Sequence, residues 1–312
     1  MNPIRVILNP TSGRGSGARL APAMEAALAR HGLAYDLVRT QARGHAIELA
    51  SQAANDGAAL VVAAGGDGTL NEVVNGLMRA RLAGQPTPAL GVLCAGRGND
   101  FAGSVGIPAD FDRACALLKA GRSRLIDVGR VTAEITPEGR YFINCVGVGF
   151  DAVVNIEVGK LPRWGGFLSF LTAVFKTIFL YNRPPLAALE YDGQTLQQRS
   201  LMVSIMNGRQ LGDGFIMAPD SRQDDGLLDL CIAAQMSSLE TIRMVPFFMK
   251  GTQATQKKIR TGQAAKVSLT ALDGPLPAHM DGEIISQDGR SLSIELLPRQ
   301  LAVICPEPGQ AG

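Results

Sequence analysis

The stretch Leu60 to Leu77, LVVAAGGDGTLNEVVNGL, constrains the fold more than any other part of the chain. Leu60, Val61, Val62, Ala63 and Ala64 form an apolar run without alternation, as a central parallel strand does when helices cover both faces of its sheet. Leu70, Val73, Val74 and Leu77 recur at helical spacing, so a helix begins near Thr69. Between strand and helix, Gly65, Gly66 and Gly68 let the backbone approach a ligand closely, and the helix start offers free N–H groups and a positive dipole end to an anion such as phosphate. Asp67 sits inside that concavity. A carboxylate beside bound phosphate makes chemical sense chiefly when a cation, usually Mg2+, cancels the repulsion. The competing interpretation is a plain turn with Asp67 or Thr69 as N-cap. The motif is neither a GKS/T phosphate loop nor a spaced GxGxxG. The complete string Gly65-Gly66-Asp67-Gly68-Thr69-Leu70-Asn71-Glu72 carries the phosphate reading.

With 312 residues the chain has room for two domains. Its 30 basic and 28 acidic residues leave a net charge of +2, so no global field points to nucleic acid, and none is expected as a partner. Five scattered cysteines without a CxxC pair, and no leader peptide, predict a reducing, cytoplasmic setting. Before residue 125 strands and helices alternate. Ile4 to Asn9 is an opening strand, followed by a glycine-rich turn over residues 10–17 and a helix to about Arg30; a second strand covers Ala34 to Arg39, a helix Gly44 to Asn55, and a fourth strand Ala89 to Leu93 before Gly96-Arg97-Gly98-Asn99-Asp100-Phe101 opens another helix. That rhythm predicts a doubly wound, Rossmann-like parallel sheet, with four strand ends available to one crevice. From Leu125 onward short strands follow one another, at residues 125–133, 141–148, 186–191, 200–206, 227–233, 265–271 and 291–296, as in an antiparallel sandwich. The expected domains are therefore residues 1–124 and 125–298, with 299–312 returning to the first.

One stretch, residues 166–181, is helical and rich in phenylalanine (Phe167, Phe170, Phe175, Phe179), with Arg163, Trp164 and Arg183 at its flanks. It is too short, and too interrupted by Lys176, to span a bilayer. It serves as a buried core helix, the wall of an acyl-chain pocket or a patch resting on a membrane surface. A second apolar helix, Leu239 to Met249, could share that surface. Asp220, Asp224, Asp225 and Asp229 gather in one turn, either as solvated acids or as oxygen donors to a hard cation. Asp281 and Glu283, between strands, are hairpin residues or a general base with a neighbour.

GGDGTLNEVVNGL resembles the nucleotide loop of the diacylglycerol kinase and sphingosine kinase catalytic-domain family. Asn9-Pro10-Thr11-Ser12-Gly13 is similar to that family's NPxSG turn, Thr40 falls at its nucleotide-contacting threonine, and Gly98-Asn99-Asp100-Phe101-Ala102 matches its GNDFA string. Asn144, Gly147, Gly149, Asp151, Ala152, Asn207-Gly208, Ala218-Pro219, Asp225-Gly226-Leu227 and Asp281-Gly282-Glu283 follow its later blocks in order. The resemblance implies an ATP-binding α/β domain, a C-terminal β-sandwich, and an active site in the cleft between them. It implies ATP contacts at Asn9 to Gly13, Thr40, Gly65 to Glu72 and Asn99, a Mg2+ site built from the Asp225 side chain with the Arg222 and Leu227 carbonyls, and a proton acceptor at Asp281 or Glu283. One departure stands out: Arg97 occupies the place of a small hydroxyl residue that contacts ATP in the family. A fixed cation there pairs with a phosphate or alters nucleotide choice.

The activity this implies is transfer of the γ-phosphate of Mg-ATP to a hydroxyl of diacylglycerol or a related lipid, with Asp67 as a catalytic residue and transient contact at the inner membrane face. The rivals are an NAD kinase-like phosphotransferase, which shares the GGDGT string, and a non-catalytic lipid or nucleotide binder. The lipid's identity and the oligomeric state, a homodimer included, stay open on sequence.

Overall fold

A computed structural model describes residues 4–134, 136–161, 166–212 and 214–307. The chain divides into two units, Met1–Val128 with Pro298–Gly312, and Gly129–Leu297.

The first unit contains β1 (Ile4–Leu8), α1 (Ser12–Arg30), β2 (Tyr35–Arg39), α2 (His45–Asn55), β3 (Leu60–Gly65), α3 (Asp67–Leu82), β4 (Ala89–Cys94), α4 (Asp100–Ser104), α5 (Phe111–Ala120) and the start of β5 (Ser123–Ala133). Its strands lie parallel in the order β2-β1-β3-β4. β3 is buried at every residue, as its unbroken apolar run requires. The chain winds outward from β1 to β2 and then crosses to β3 on the other side, so the order reverses between β1 and β3. The carboxyl ends of those two strands flank the crevice where doubly wound sheets bind ligands. α5, absent from the sequence expectation, has clear end signals: the Asp110 side chain accepts from the Arg113 N–H at 2.9 Å, and Gly121 closes the helix in the left-handed region.

The second unit holds the rest of β5, then β6 (Thr136–Phe142), β7 (Cys145–Gly149), α6 (Phe150–Lys160), α7 (Gly166–Leu180), β8 (Leu186–Tyr191), β9 (Gln194–Met206), β10 (Gln210–Leu211), β11 (Phe215–Ile216), β12 (Leu228–Ala234), α8 (Ser238–Lys250), β13 (Ile259–Ala264), β14 (Lys266–Ala271), β15 (Ala278–Met280), β16 (Glu283–Ser286) and β17 (Ser291–Ile304). The long β9 serves two layers: its first half pairs with β8, its second with β7 and β12. One layer runs β16-β15-β7-β9-β12-β13 and the other β9-β8-β14-β17, all antiparallel. Val146, Val203, Ile205 and Leu230 of one layer share a core with Leu189, Val267, Leu269 and Ile294 of the other. This is a sandwich.

Three expectations need correction. The strand expected over residues 141–148 is two strands, β6 and β7, separated at Ile143 and Asn144, because the Asp281 carboxylate takes the N–H groups there. The segments 291–296 and 301–305 are one strand, β17, turned at Arg299 (φ 53°), whose Val303 pairs with Leu90 in the first unit. α6 was not foreseen, since its buried positions include Asp151 and Glu157 and break the apolar period. Residues 308–312, Arg163 and Trp164, together with the side chain of Phe167, lie outside the described residues.

Candidate active site

In the first unit three loops converge at the β1/β3 switch. After β1, the Asn9 side-chain amide donates to Thr69 Oγ1 at 2.9 Å, and its carbonyl oxygen accepts from the Thr11 N–H and hydroxyl at 3.0 and 2.9 Å. Ser12 Oγ donates to the Ala95 carbonyl at 2.9 Å. Gly13, Arg14 and Gly15 then follow one another in the left-handed region, with φ of 56°, 63° and 92°. The Gly15 N–H closes this turn on the Thr11 carbonyl at 3.1 Å. After β3, Gly66 touches Gly96 of the third loop: a Cβ on Gly96 would stand 2.2 Å from Gly66 Cα. Glycine at position 96 is what allows the loops to meet. Arg14 and Arg97 are both exposed here, the cationic side chains of this rim. Thr40 is buried at the end of β2, its N–H bound to the Leu8 carbonyl at 2.9 Å.

Asp67 begins α3 and accepts from the Phe101 N–H at 3.3 Å. Burial pushes its carboxyl above the ordinary range, while the N–H groups of Phe101, Asp100 and Asn99 pull it back. Burial, and secondarily Asp67, raises the nearby Cys94 thiol to about 12, which keeps it protonated and unreactive. Not all of the motif faces this crevice. Leu70 is core; Asn71 is fully buried and accepts from the Asn75 side chain; Glu72 Oε1 and Oε2 accept from the N–H groups of Gly44 and Ala46 at 2.8 and 3.2 Å, capping α2. These three side chains belong to the scaffold, not to a ligand-facing wall. Pro10 contributes a carbonyl that accepts from the Ala18 N–H at 3.0 Å.

In the second unit, Asp281 and Gly282 adopt φ of 45° and 82° and turn β15 into β16. Asp281 is buried, and its carboxylate accepts from the N–H groups of Ile143, Asn144 and Cys145 at 3.1, 3.1 and 2.8 Å. Glu283 pairs with Arg140 at 3.0 Å. In the acidic turn, Asp225 is exposed and its Oδ1 accepts from the Leu227 N–H at 3.0 Å, while the Arg222 side chain turns to Asp224 at 3.4 Å. Burial raises the Asp229 carboxyl, with Asp225 and Asp220 adding to the effect. Among the described residues no cluster of three or more His, Cys, Asp or Glu side chains could hold a metal. The set of one carboxylate and two carbonyls from residues 222, 225 and 227 is different in kind; its donors are all hard oxygens, which suit Mg2+.

The feature that sequence reading left undecided is the phenylalanine-rich helix. α7 buries Ala173, Val174 and Ile178, while Leu168 (66%), Phe179 (63%) and Leu180 (59%) are exposed. Its inner face, with α6, α8 and β9, lines an apolar cavity whose walls include Phe150, Val154, Phe170, Met202, Met244 and Phe248.

A doubly wound unit with glycine-lined loops is thus joined in one chain to a sandwich unit with an acid turn. Residues 3–131 match the family model described as Diacylglycerol kinase catalytic domain, and residues 144–305 that described as YegS C-terminal NAD kinase beta sandwich-like domain. The diacylglycerol kinase of Bacillus subtilis (strain 168) is 32% identical over 295 residues, covering 92% of this chain and 94% of that protein. The "Probable lipid kinase YegS-like" protein of Chromohalobacter salexigens is 32% identical over 267 residues, 85% of this chain and 81% of the relative. A crystal structure of a diacylglycerol kinase from Bacillus anthracis str. Sterne shares the fold, with a TM-score of 0.73 at 20% identity over 98% of this chain and 97% of that one. The chain belongs to the diacylglycerol kinase-like, YegS-like family of lipid kinases.

Proposed function

We propose that this protein transfers the γ-phosphoryl group of ATP to a hydroxyl of diacylglycerol or a related lipid. The observation that carries the reading is the occurrence, in one chain, of glycine-lined loops at the β1/β3 switch and, in the second unit, an apolar cavity and a turn bearing Asp281 and Glu283. Asn9 to Gly13, Thr40, Gly65 to Thr69 and Asn99 line the site we assign to the nucleotide. Arg14 and Arg97 add positive charge at the phosphates. Asp67 orients the phosphoryl end.

Glu283 accepts the proton of the lipid hydroxyl. Asp281 is the weaker candidate, because three backbone N–H groups already occupy its oxygens. An alcohol is a poor nucleophile at neutral pH, so a base within hydrogen-bond reach contributes on the order of 10²–10⁴-fold. Mg2+, when bound, neutralises charge on the phosphates; the Asp225 carboxylate with the Arg222 and Leu227 carbonyls would hold a structural ion in the second unit.

Among the described residues no helix is long and apolar enough to cross a membrane. The exposed Leu168, Phe179 and Leu180 of α7, with Leu239 of α8 and the basic Lys176 and Arg183 nearby, fit transient contact with a bilayer surface. Vesicle flotation with and without Phe179→Ser tests that contact: unchanged flotation removes it. The activity itself is tested by transfer from labelled ATP across diacylglycerol, monoacylglycerol, sphingoid bases, ceramide and phosphatidylglycerol, with NAD as a soluble acceptor. Labelled lipid supports the reading; labelled NADP alone replaces it with an NAD kinase.

A further inference from the structure

Arg97 stands at one end of the glycine-lined crevice of the first unit. The sheet order β2-β1-β3-β4 continues past the strand ends: the Thr40 N–H donates to the Leu8 carbonyl at 2.9 Å, the Asn9 N–H to the Ala64 carbonyl at 3.0 Å and the Ala95 N–H to the Gly65 carbonyl at 2.9 Å. The loops that begin at Thr40, Asn9, Gly66 and Ala95 therefore lie side by side along one edge. Three strand spacings of about 4.8 Å make that edge roughly 14 Å long.

The two ends of the edge differ in chemistry. Beyond Thr40 lies an open cleft of about 510 Å³, lined by Gln41, Arg43, His45, Ile47 and Arg79, with room for a base and a ribose. The start of α2 beside it is already matched by an acid, since Glu72 takes the N–H groups of Gly44 and Ala46 at 2.8 and 3.2 Å, which disfavours a phosphate there. At the other end the main chain of Arg97 packs on the glycine turn: a Cβ on Gly66 would lie 4.0 Å from the Arg97 backbone N. The Arg97 side chain is exposed and, like that of Arg14, makes no hydrogen bond or ion pair with any described residue. A Cβ on Gly98 would lie 3.1 Å from Asp67 Oδ2, so the acid that orients the phosphoryl end belongs to this end as well.

A nucleotide laid along the edge thus has its nucleoside at β2 and its last phosphate at β4. We infer that Arg97 reads the γ-phosphate, so that the chain distinguishes a nucleoside triphosphate from its diphosphate. This inference rests on the kinase reading above. A guanidinium is always charged, and its fork of donors matches two oxygens of a terminal phosphate. Arg14, at the end of β1, meets the phosphates nearer the nucleoside, which the two nucleotides share. Once the γ-phosphoryl group has moved to the acceptor, Arg97 loses its partner and the diphosphate leaves without that contact. A charge-assisted pair of this kind changes affinity by roughly tenfold to a hundredfold.

Calorimetry on the full chain in excess Mg2+ compares β,γ-imido-ATP with ADP, for the wild type, Arg97→Ser, Arg97→Lys and Arg14→Ser. The wild type should bind the triphosphate analogue roughly tenfold or more tighter than ADP. Arg97→Ser, which restores the small hydroxyl expected at this place, should bring that ratio near one by weakening the analogue alone, with ADP affinity unchanged to within about twofold. Arg97→Lys should keep an intermediate ratio, and Arg14→Ser should weaken both nucleotides alike. A wild-type ratio near one, an Arg97→Ser variant that weakens both nucleotides equally, or an Arg14→Ser variant that collapses the ratio in place of Arg97→Ser would each overturn the inference; the wild-type ratio decides even where a variant does not fold. If the wild type binds neither nucleotide the kinase reading fails, whereas equal binding of the two leaves that reading standing and sinks the role of Arg97 alone.

Discussion

Replacing Asp281 by Asn separates scaffold from chemistry in the acid turn. In the wild type one carboxylate oxygen accepts from Asn144 and Cys145 at 3.1 and 2.8 Å, and the other from Ile143 at 3.1 Å. Asn keeps one oxygen, so the first two bonds persist without charge assistance, while an NH2 group confronts the Ile143 N–H. Hydrogen bonds to charged groups contribute about 1.5–3 kcal/mol each and neutral ones about 1, so replacing three of the former by two of the latter loses about 2.5–7 kcal/mol. The backbone does not confound the result, because Asn accepts the left-handed conformation at φ 45° as readily as Asp, whereas Ala would add about 1–2 kcal/mol of strain. Native-state hydrogen exchange reads the effect directly: the amides of Ile143, Asn144 and Cys145 should lose roughly 70-fold or more of protection. Glu283→Gln removes the charge from the pair with Arg140 and should lower turnover by roughly 10²-fold or more. If Asp281→Asn left those amides fully protected while abolishing activity, the anchoring argument would fail and the base would be Asp281.

Asp67→Asn should abolish turnover and raise the thermal midpoint at pH 7. Its pKa is raised in the fold, so its favourable, protonated form is fully present below the ordinary carboxyl range and is lost as pH rises through the folded value; at neutral pH the buried charge costs stability that Asn relieves. An unchanged or lower midpoint in differential scanning fluorimetry counts against this. Gly96→Ala would set a Cβ 2.2 Å from Gly66 Cα, and calorimetry with a non-hydrolysable ATP analogue should show affinity reduced more than about tenfold in a folded protein. Glu240 is held at about 2 by the Lys258 ammonium and then by the Ser237 N–H and hydroxyl, so the stability it adds is present above the ordinary glutamate value and is lost as pH falls towards 2. Glu240→Gln should therefore flatten the fall of thermal midpoint between pH 5 and 2; an unaltered slope refutes the assignment.

The parts of this fold legible in the sequence are those whose physics is local. β3 and α3 announce themselves because the apolar run, the glycine turn and the helical period are contiguous from Leu60 to Leu82. The break between β6 and β7 is not legible, since the carboxylate that takes their N–H groups lies more than 130 residues away. Glu72 reads as a motif acid beside the glycine turn, yet its partners are the start of α2, and nothing near it in sequence says so. α6 is hidden by Asp151 and Glu157 on its buried face; the latter is ion-paired with Lys160 and Lys176 at 2.7 and 2.5 Å. Motif acids thus carry two meanings that sequence cannot separate, scaffold and chemistry, and the partner decides between them. Asp281 and Glu72 are held by backbone N–H groups of distant segments, which fixes a loop and leaves little capacity for a substrate. Glu283 meets the Arg140 guanidinium instead. By that criterion Asp281, the best-matched acid of its turn, is the one that holds the turn in place, and Glu283 is the acid we propose for the chemistry.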